Sequence, residues 1–329
     1  MPPLGNIVEG SVASAIEQGI PSSIAVHFGG EFYSHVHGFW PSGRAVEPSD
    51  PFYAASLAKQ ITGAAVACLV RDGRLAAGAR ASDILTEDRA WLGAITIGHL
   101  LHHTGGLPAA GVLEAMCSAT RWTDELVFER LRQMPRLIDP GLEHNYSNAG
   151  YVVLARVVER ISGLLFAEFV RQAILDPLGL GEMCVSARSG HPQSEQWGLL
   201  GPVLPLSRGD GGIWTTARAF VTWLQSQNSN ELGLESLVTT DTTLRDGSPV
   251  GYGWGLGLRT FAGTRAYIHG GGWPGASAKI IRSPSLDLAL VGLAAGPQAQ
   301  SIQAVVDALY ARLAGDAAPH GVGGMAQMS

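Results

Sequence analysis

Ser56-Leu57-Ala58-Lys59-Gln60-Ile61-Thr62-Gly63-Ala64-Ala65-Val66-Ala67-Cys68-Leu69 is the stretch from which the fold can be read. Leu57, Ile61, Ala64, Ala65, Cys68 and Leu69 recur at helical spacing and predict one apolar face. Asp72-Gly73 stops the helix. Ser56 and Lys59 lie three residues apart, so on a helix they share a face and the amine can reach the hydroxyl. A serine hydroxyl is a poor nucleophile unless a base stands beside it. In the first turn of a helix it also sits at the positive end of the dipole, with its own N–H free to face an oxyanion. The chain has two lysines, Lys59 and Lys279, against twenty arginines, so a lysine here is not a random surface residue. A serine three residues before a lysine is still a common pair, and other segments must carry the rest.

Outward from this helix, the two ends of the chain read as strands and the middle as helices. Asn6–Gln18 has helical spacing. Ser22–Phe28 and Glu31–Gly38 read as strands joined at Gly29-Gly30. Helical patterns cover Ile97–His102, Thr123–Gln133, Ala149–Ile161, Phe166–Ile174 and Thr216–Gln225. Tyr252–Arg259, Ala266–His269, Ala276–Arg282 and Leu286–Ala294 are strand-like, and Ser301–Ala314 reads as a last helix. The expected fold class is α+β: an antiparallel sheet in an α/β sandwich, flanked by terminal helices, with an inserted, mostly helical domain. The division expected is 1–60 plus 235–314 for the sheet domain, 61–234 for the helical one, and 315–329 as a disordered tail.

Two further segments carry chemistry. Tyr146-Ser147-Asn148 precedes the helix at Ala149. A tyrosine beside an ammonium can relay a proton, and an asparagine amide both donates and accepts. The plainer reading makes Tyr146 packing and Asn148 a helix N-cap. His269-Gly270-Gly271-Gly272 follows a strand-like run. Glycines let a backbone approach a ligand and leave an N–H uncovered, and histidine donates or accepts near neutral pH. The plainer reading is a glycine turn with a surface histidine.

In this order, Ser-x-x-Lys, Tyr-x-Asn and His-x-Gly resemble the serine β-lactamase and penicillin-binding-protein superfamily, and within it the class C-like branch of esterases, amidases, D-amino-acid peptidases and transacylases. Leu100 to Leu107, Gly211 to Ala217, Tyr252 to Gly257 and His269 to Gly275 resemble further segments of that branch, from about residue 10 to 312. The resemblance implies that Ser56 is acylated and that Lys59 takes its proton, alone or through Tyr146. It implies that Tyr146 protonates the leaving group and that Asn148 orients Lys59 and the substrate. The N–H groups of Ser56 and Gly272 would form the oxyanion hole beside Gly271 and His269. No metal or organic cofactor is implied. His269 stands where many members carry lysine, and a mostly neutral imidazole supplies less charge to a substrate carboxylate.

The expected function is therefore a serine hydrolase acting on a small ester or amide through acyl-Ser56. The alternatives are a β-lactamase or D-amino-acid peptidase, a transacylase with an amine or alcohol acceptor, and a non-catalytic binding module. A formal charge of −6 without basic runs argues against nucleic acid. The absence of a long apolar stretch argues against a membrane span. Met1–Gly10 lacks a signal-peptide pattern, so a cytoplasmic address is expected. Cys68, Cys117 and Cys184 read as buried free thiols. His102 and His103 read as helix-end caps, and His144 as structural. Tyr53, Trp214, Trp254 and Trp273 are candidates for the pocket wall.

Overall fold

Both ends of the chain contribute to one antiparallel sheet, whose central strands are buried on both faces. The structure, a computed structural model, describes residues 3–15, 19–115, 121–134, 138–185, 194–261 and 263–317. Helix α1 (Leu4–Ala15) leads into β1 (Ser22–Phe28) and β2 (Glu31–His37), which turn at Gly29-Gly30, both at positive φ. The other four strands come more than 200 residues later: β3 (Gly257–Phe261), β4 (Thr264–Trp273), β5 (Ala276–Ser283) and β6 (Leu288–Ala295). Their order is β2-β1-β6-β5-β4-β3, every neighbouring pair antiparallel. Ile24 of β1 lies opposite Gly292 of β6, which closes the sheet across the length of the chain.

Strand side chains alternate between two buried faces. Ile24, Val26, Leu288 and Leu290 pack on α1 and on the last helix (Ser301–Ala317) through Ile7, Val8, Ile302 and Val306. Ala25, Ala289, Val291 and Leu293 face the opposite way, into a core continuous with the helical half of the protein. That half is centred on α5 (Asn148–Ser162), against which α2 (Ala58–Arg71), α3 (Ile97–Leu101) and α4 (Asp124–Gln133) pack. Helix α6 (Ala217–Asn228) lies within the span expected as the helical insert, yet packs on β1, β5 and β6. The last helix, α7 (Ser301–Ala317), completes the sandwich.

Three expectations change. Helix α2 has no solvent face, because every residue from Ala58 to Leu69 is buried. Small side chains such as Gly63 and Ala67 let neighbouring elements close over the side opposite Ile61 and Leu69. Tyr252–Leu256 is a loop, touching the sheet through one bridge from Tyr252 to Gly257. A tight turn intervenes, with Gly255 at φ 92° and the Gly253 N–H donating to Leu256 O. Residues 315–317 belong to α7 rather than to a tail; residues 318–329 lie outside the described ones. Cys68 is free and buried, Cys184 is free and half-buried, and Cys117 lies outside the described residues. No described helix is long and apolar enough to cross a membrane.

Candidate active site

From Phe52 to Leu69, Ser56 is the one residue that is not buried. It does not open the α-helix. It sits in a 3₁₀ turn, Ala55–Leu57, immediately before α2. Ala55 holds φ 47°, a left-handed conformation that a non-glycine residue adopts only when its surroundings enforce it. That kink presents Ser56 to a cleft of about 770 Å³. Lys59, fully buried one turn on, aims its ammonium at three oxygens: Ser56 Oγ at 3.1 Å, Asn148 Oδ1 at 2.8 Å and the Asp210 carbonyl at 3.0 Å. Three N–H donors thus meet three acceptors, which a buried ammonium needs.

The Tyr146-Ser147-Asn148 segment reaches the same point from the N-terminus of α5. Ser147, not Asn148, is the N-cap residue, and it makes no side-chain cap. The Asn148 side chain instead faces Lys59. Lys59 Nζ lies 4.9 Å from the Tyr146 ring centroid, within cation–π range. The Tyr146 hydroxyl is buried and has no hydrogen-bond partner among the described residues.

Strand β4 forms the opposite wall with His269, Gly270 and Gly272. A Cβ on Gly271 would stand 2.7 Å from the Ala54 carbonyl and 3.3 Å from the Ala55 side chain. Glycine is what lets β4 lie against the turn that carries Ser56. Gly272, by contrast, has open space where a Cβ would be. His269 is buried, not on the surface. Its Nδ1 lies 2.6 Å from Gly270 O, so it must donate there, and its Nε2 then accepts from Tyr252 Oη at 2.9 Å. Burial, with the Lys59 charge nearby, pushes its pKa down from 6.5 to about 3, against the small opposing effect of the Gly270 carbonyl. The ring is neutral and brings no cation to the cleft.

The aromatic candidates divide. Trp273 lines the cleft, its indole N–H donating to Val203 O at 3.0 Å. Tyr53 and Trp214 are core residues, stacked with centroids 5.5 Å apart. Trp254 is buried behind the site and donates to His102 Nε2. Nearness in sequence misplaced these three: Tyr53 and Trp214 lie opposite each other on paired short strands and pack with Ala55, Leu200 and Ala276. Other histidines also depart from expectation. His144 lines the cleft. His102 donates from Nδ1 to Tyr252 O at 2.7 Å, and His103 accepts at Nδ1 from the Ser147 N–H at 3.1 Å, so neither ring caps a helix. Among the described residues, no three His, Cys, Asp or Glu side chains converge as a metal site would need.

The Asp210 carbonyl gave no signal in the sequence, since any residue has one. The loop that delivers it is anchored by Arg208, whose guanidinium and backbone N–H both bind the Asp124 carboxylate of α4, with Glu159 of α5 at 3.4 Å. Thr62 Oγ1 of α2 donates to Gly209 O at 2.8 Å and ties that loop to α2 one turn beyond Lys59.

The buried histidines make stability pH-dependent. Burial lowers the pKa of His102, His103 and His269 below 6.5. The unfolded chain therefore binds more protons below that pH. The stabilisation from keeping these rings neutral is complete above about 6.5 and declines as pH falls toward about 3. Melting temperatures by circular dichroism should fall progressively below pH ~6.5, and His269→Gln should flatten the slope by up to about 1.4 kcal/mol per pH unit. Coincident profiles for the two proteins would contradict a neutral His269.

A family model described as Beta-lactamase matches residues 17–314. Penicillin-binding protein 4* of Bacillus subtilis (strain 168) is 26% identical over 303 residues, covering 79% of this chain and 64% of that protein. A D-aminopeptidase of Brucella ovis is 24% identical over 277 residues, covering 78% and 53%. The chain thus spans less than two thirds of the length of these curated relatives. Among solved structures, a penicillin binding protein from Bacillus halodurans superposes with a TM-score of 0.78 at 23% identity, covering 92% and 98% of the two chains. The D-amino acid amidase of Ochrobactrum anthropi SV3 gives 0.78 at 20% identity, covering 95% and 100%. Both likenesses are of fold.

Proposed function

The chain belongs to the Beta-lactamase family, whose members here are serine hydrolases, and on that premise we propose that it cleaves a small amide or ester through an acyl-Ser56 intermediate. One observation carries the reading: Lys59, fully buried, points its amine at the Oγ of the one accessible residue in its stretch of chain. Ser56 Oγ attacks the substrate carbonyl, and its proton passes to Lys59 in its neutral amine form or, where Lys59 is an ammonium, to Tyr146 as the phenolate. Tyr146, with Lys59, then returns the proton to the leaving amine or alcohol, while Asn148 orients Lys59. The N–H groups of Ser56 and Gly272 hold the oxyanion, and water releases the acyl group along the same proton path. A D-aminopeptidase and a D-amino acid amidase among the similar proteins support an amide of a small amino acid as the first substrate class to try.

The neutrality of His269 supports amides and esters over β-lactams as the main substrates. Both ring nitrogens are engaged, with Tyr252 and Gly270, and neither presents a charge to a carboxylate. The charged side chain on the cleft wall is Arg259, an exposed residue whose Nη1 donates to the Gly251 and Leu258 carbonyls.

The reading is tested by incubating the protein with p-nitrophenyl acetate, D-phenylalanine amide and nitrocefin, followed by intact-mass analysis and peptide mapping. An adduct on Ser56 with turnover of ester or amide is expected. An adduct mapping elsewhere would overturn the mechanism, and nitrocefin as the fastest substrate would overturn the substrate class. Gly271→Val should slow Ser56 acylation about 100-fold, because the new side chain displaces the Ala54–Ala55 backbone that presents the hydroxyl. Single-turnover kinetics read that loss, and an unchanged rate would show that β4 does not set the turn.

A further inference from the structure

No described residue holds the Tyr146 ring by its hydroxyl, so its position depends on its backbone and on the rings behind it. The two residues that flank Tyr146 both bond through their N–H groups to one residue. The Asn145 N–H donates to His103 O at 2.8 Å, and the Ser147 N–H donates to His103 Nδ1 at 3.1 Å. The imidazole also stacks on Tyr146, with centroids 4.4 Å apart, and on Tyr252 and Tyr151 at 4.8 and 5.0 Å. His103 is buried, does not line the cleft, and holds φ 57°. Among non-glycine residues, histidine and asparagine tolerate that backbone best.

We propose that His103 is a positioning residue: its carbonyl and its Nδ1 hold the N–H groups of Asn145 and Ser147, on either side of Tyr146, and so fix the phenol for proton transfer beside Lys59. This rests on the reading of Tyr146 as a proton carrier. The clamp requires the tautomer with hydrogen on Nε2, since an amide N–H can only donate to a bare Nδ1. Burial foremost, then the Lys59 charge and the neighbouring His144, His269 and His102, keep the ring unprotonated and the acceptor available.

Substitutions separate a clamp from mere packing. Asparagine carries Oδ1 on Cγ, where histidine carries Nδ1, and suits the left-handed backbone. Glutamine fills the space better but puts its oxygen one bond too far from Ser147. Packing alone therefore ranks glutamine above asparagine, and the clamp ranks them the other way. With p-nitrophenyl acetate as probe, His103→Asn should keep kcat within about fivefold of the parent, and His103→Gln should lower it about 100-fold while KM stays within about twofold. In a Tyr146→Phe background, His103→Gln should cost less than about threefold more, because both changes act on one group. Glutamine at least as active as asparagine, or losses that multiply in the double variant, would overturn the proposal. So would an NMR signature of the Nδ1–H tautomer in the unaltered protein, a measurement that does not depend on any variant folding. Full kcat in Tyr146→Phe would instead refute the role given to Tyr146, whereas a slow Tyr146→Phe beside a fast His103→Gln would refute His103 alone.

Discussion

Ser56→Ala should lower kcat for ester or amide hydrolysis by about 10⁴-fold or more and remove the covalent adduct altogether. The hydroxyl is the one atom group at this point that can form an ester with the substrate. Its loss leaves an environment otherwise intact. Lys59 keeps Asn148 Oδ1 and the Asp210 carbonyl as acceptors, and the turn at Ala55–Leu57 is held by backbone contacts such as Leu57 N–H to Ala54 O. Melting temperature should therefore move by only a few degrees, about what an exchange at a half-buried surface site produces. Intact-mass spectrometry and initial rates check the two halves of this statement. Turnover and adduct formation at the parent's rate would refute Ser56 as the nucleophile.

Lys59→Met should lower the acylation rate of Ser56 by about 10³-fold with little change in stability. The effect on rate follows from removing the amine beside Oγ, since methionine accepts no proton. The effect on stability is a difference of two terms. The substitution removes the Lys59 hydrogen bonds to Asn148 Oδ1 and the Asp210 carbonyl, at a cost of up to about 1–3 kcal/mol. It also removes the several kcal/mol of desolvation that a buried ammonium carries. Methionine has nearly the volume of lysine, so no large cavity opens. Urea unfolding should show a change within about 2 kcal/mol in either direction, the residue of those opposing terms. A folded variant with the parent's acylation rate would show that Lys59 does not act on Ser56.

Much of this site is legible in the sequence because its side chains are chemically distinctive. Ser56, Tyr146, Asn148, His269 and Gly272 all reach one cleft, from segments up to 216 residues apart in number, and Lys59 stands behind them. The sheet, too, follows from the short apolar runs at Ser22–Phe28 and Ala276–Arg282 bounded by turns, since strands buried on both faces read as continuous rather than alternating. The missed parts are those where the backbone or a distant partner does the work. A carbonyl such as that of Asp210 has no residue signature. The clasp of Arg208 on Asp124 spans 84 positions and leaves no spacing to read. Tyr53, Trp214 and Trp254 failed as cleft residues for the converse reason: adjacency along the chain says nothing of which side of a strand or turn a ring takes. Helix α2 looked amphipathic because alanine and glycine on its far side are neutral in pattern, yet they are what close packing on that side requires.

The distance between Ser56 and its facing wall along the chain bears on how the protein is made. Synthesis proceeds from the N-terminus, and domains fold as their residues emerge. The serine, its lysine and most of the helices are complete long before Gly271 and Gly272 leave the ribosome. Strand β1 must wait as well, because its partner β6 is the last of the described strands to be made. A nascent chain therefore carries the nucleophile without the wall that would hold an oxyanion, and chemical competence arrives in one step when the final strands dock.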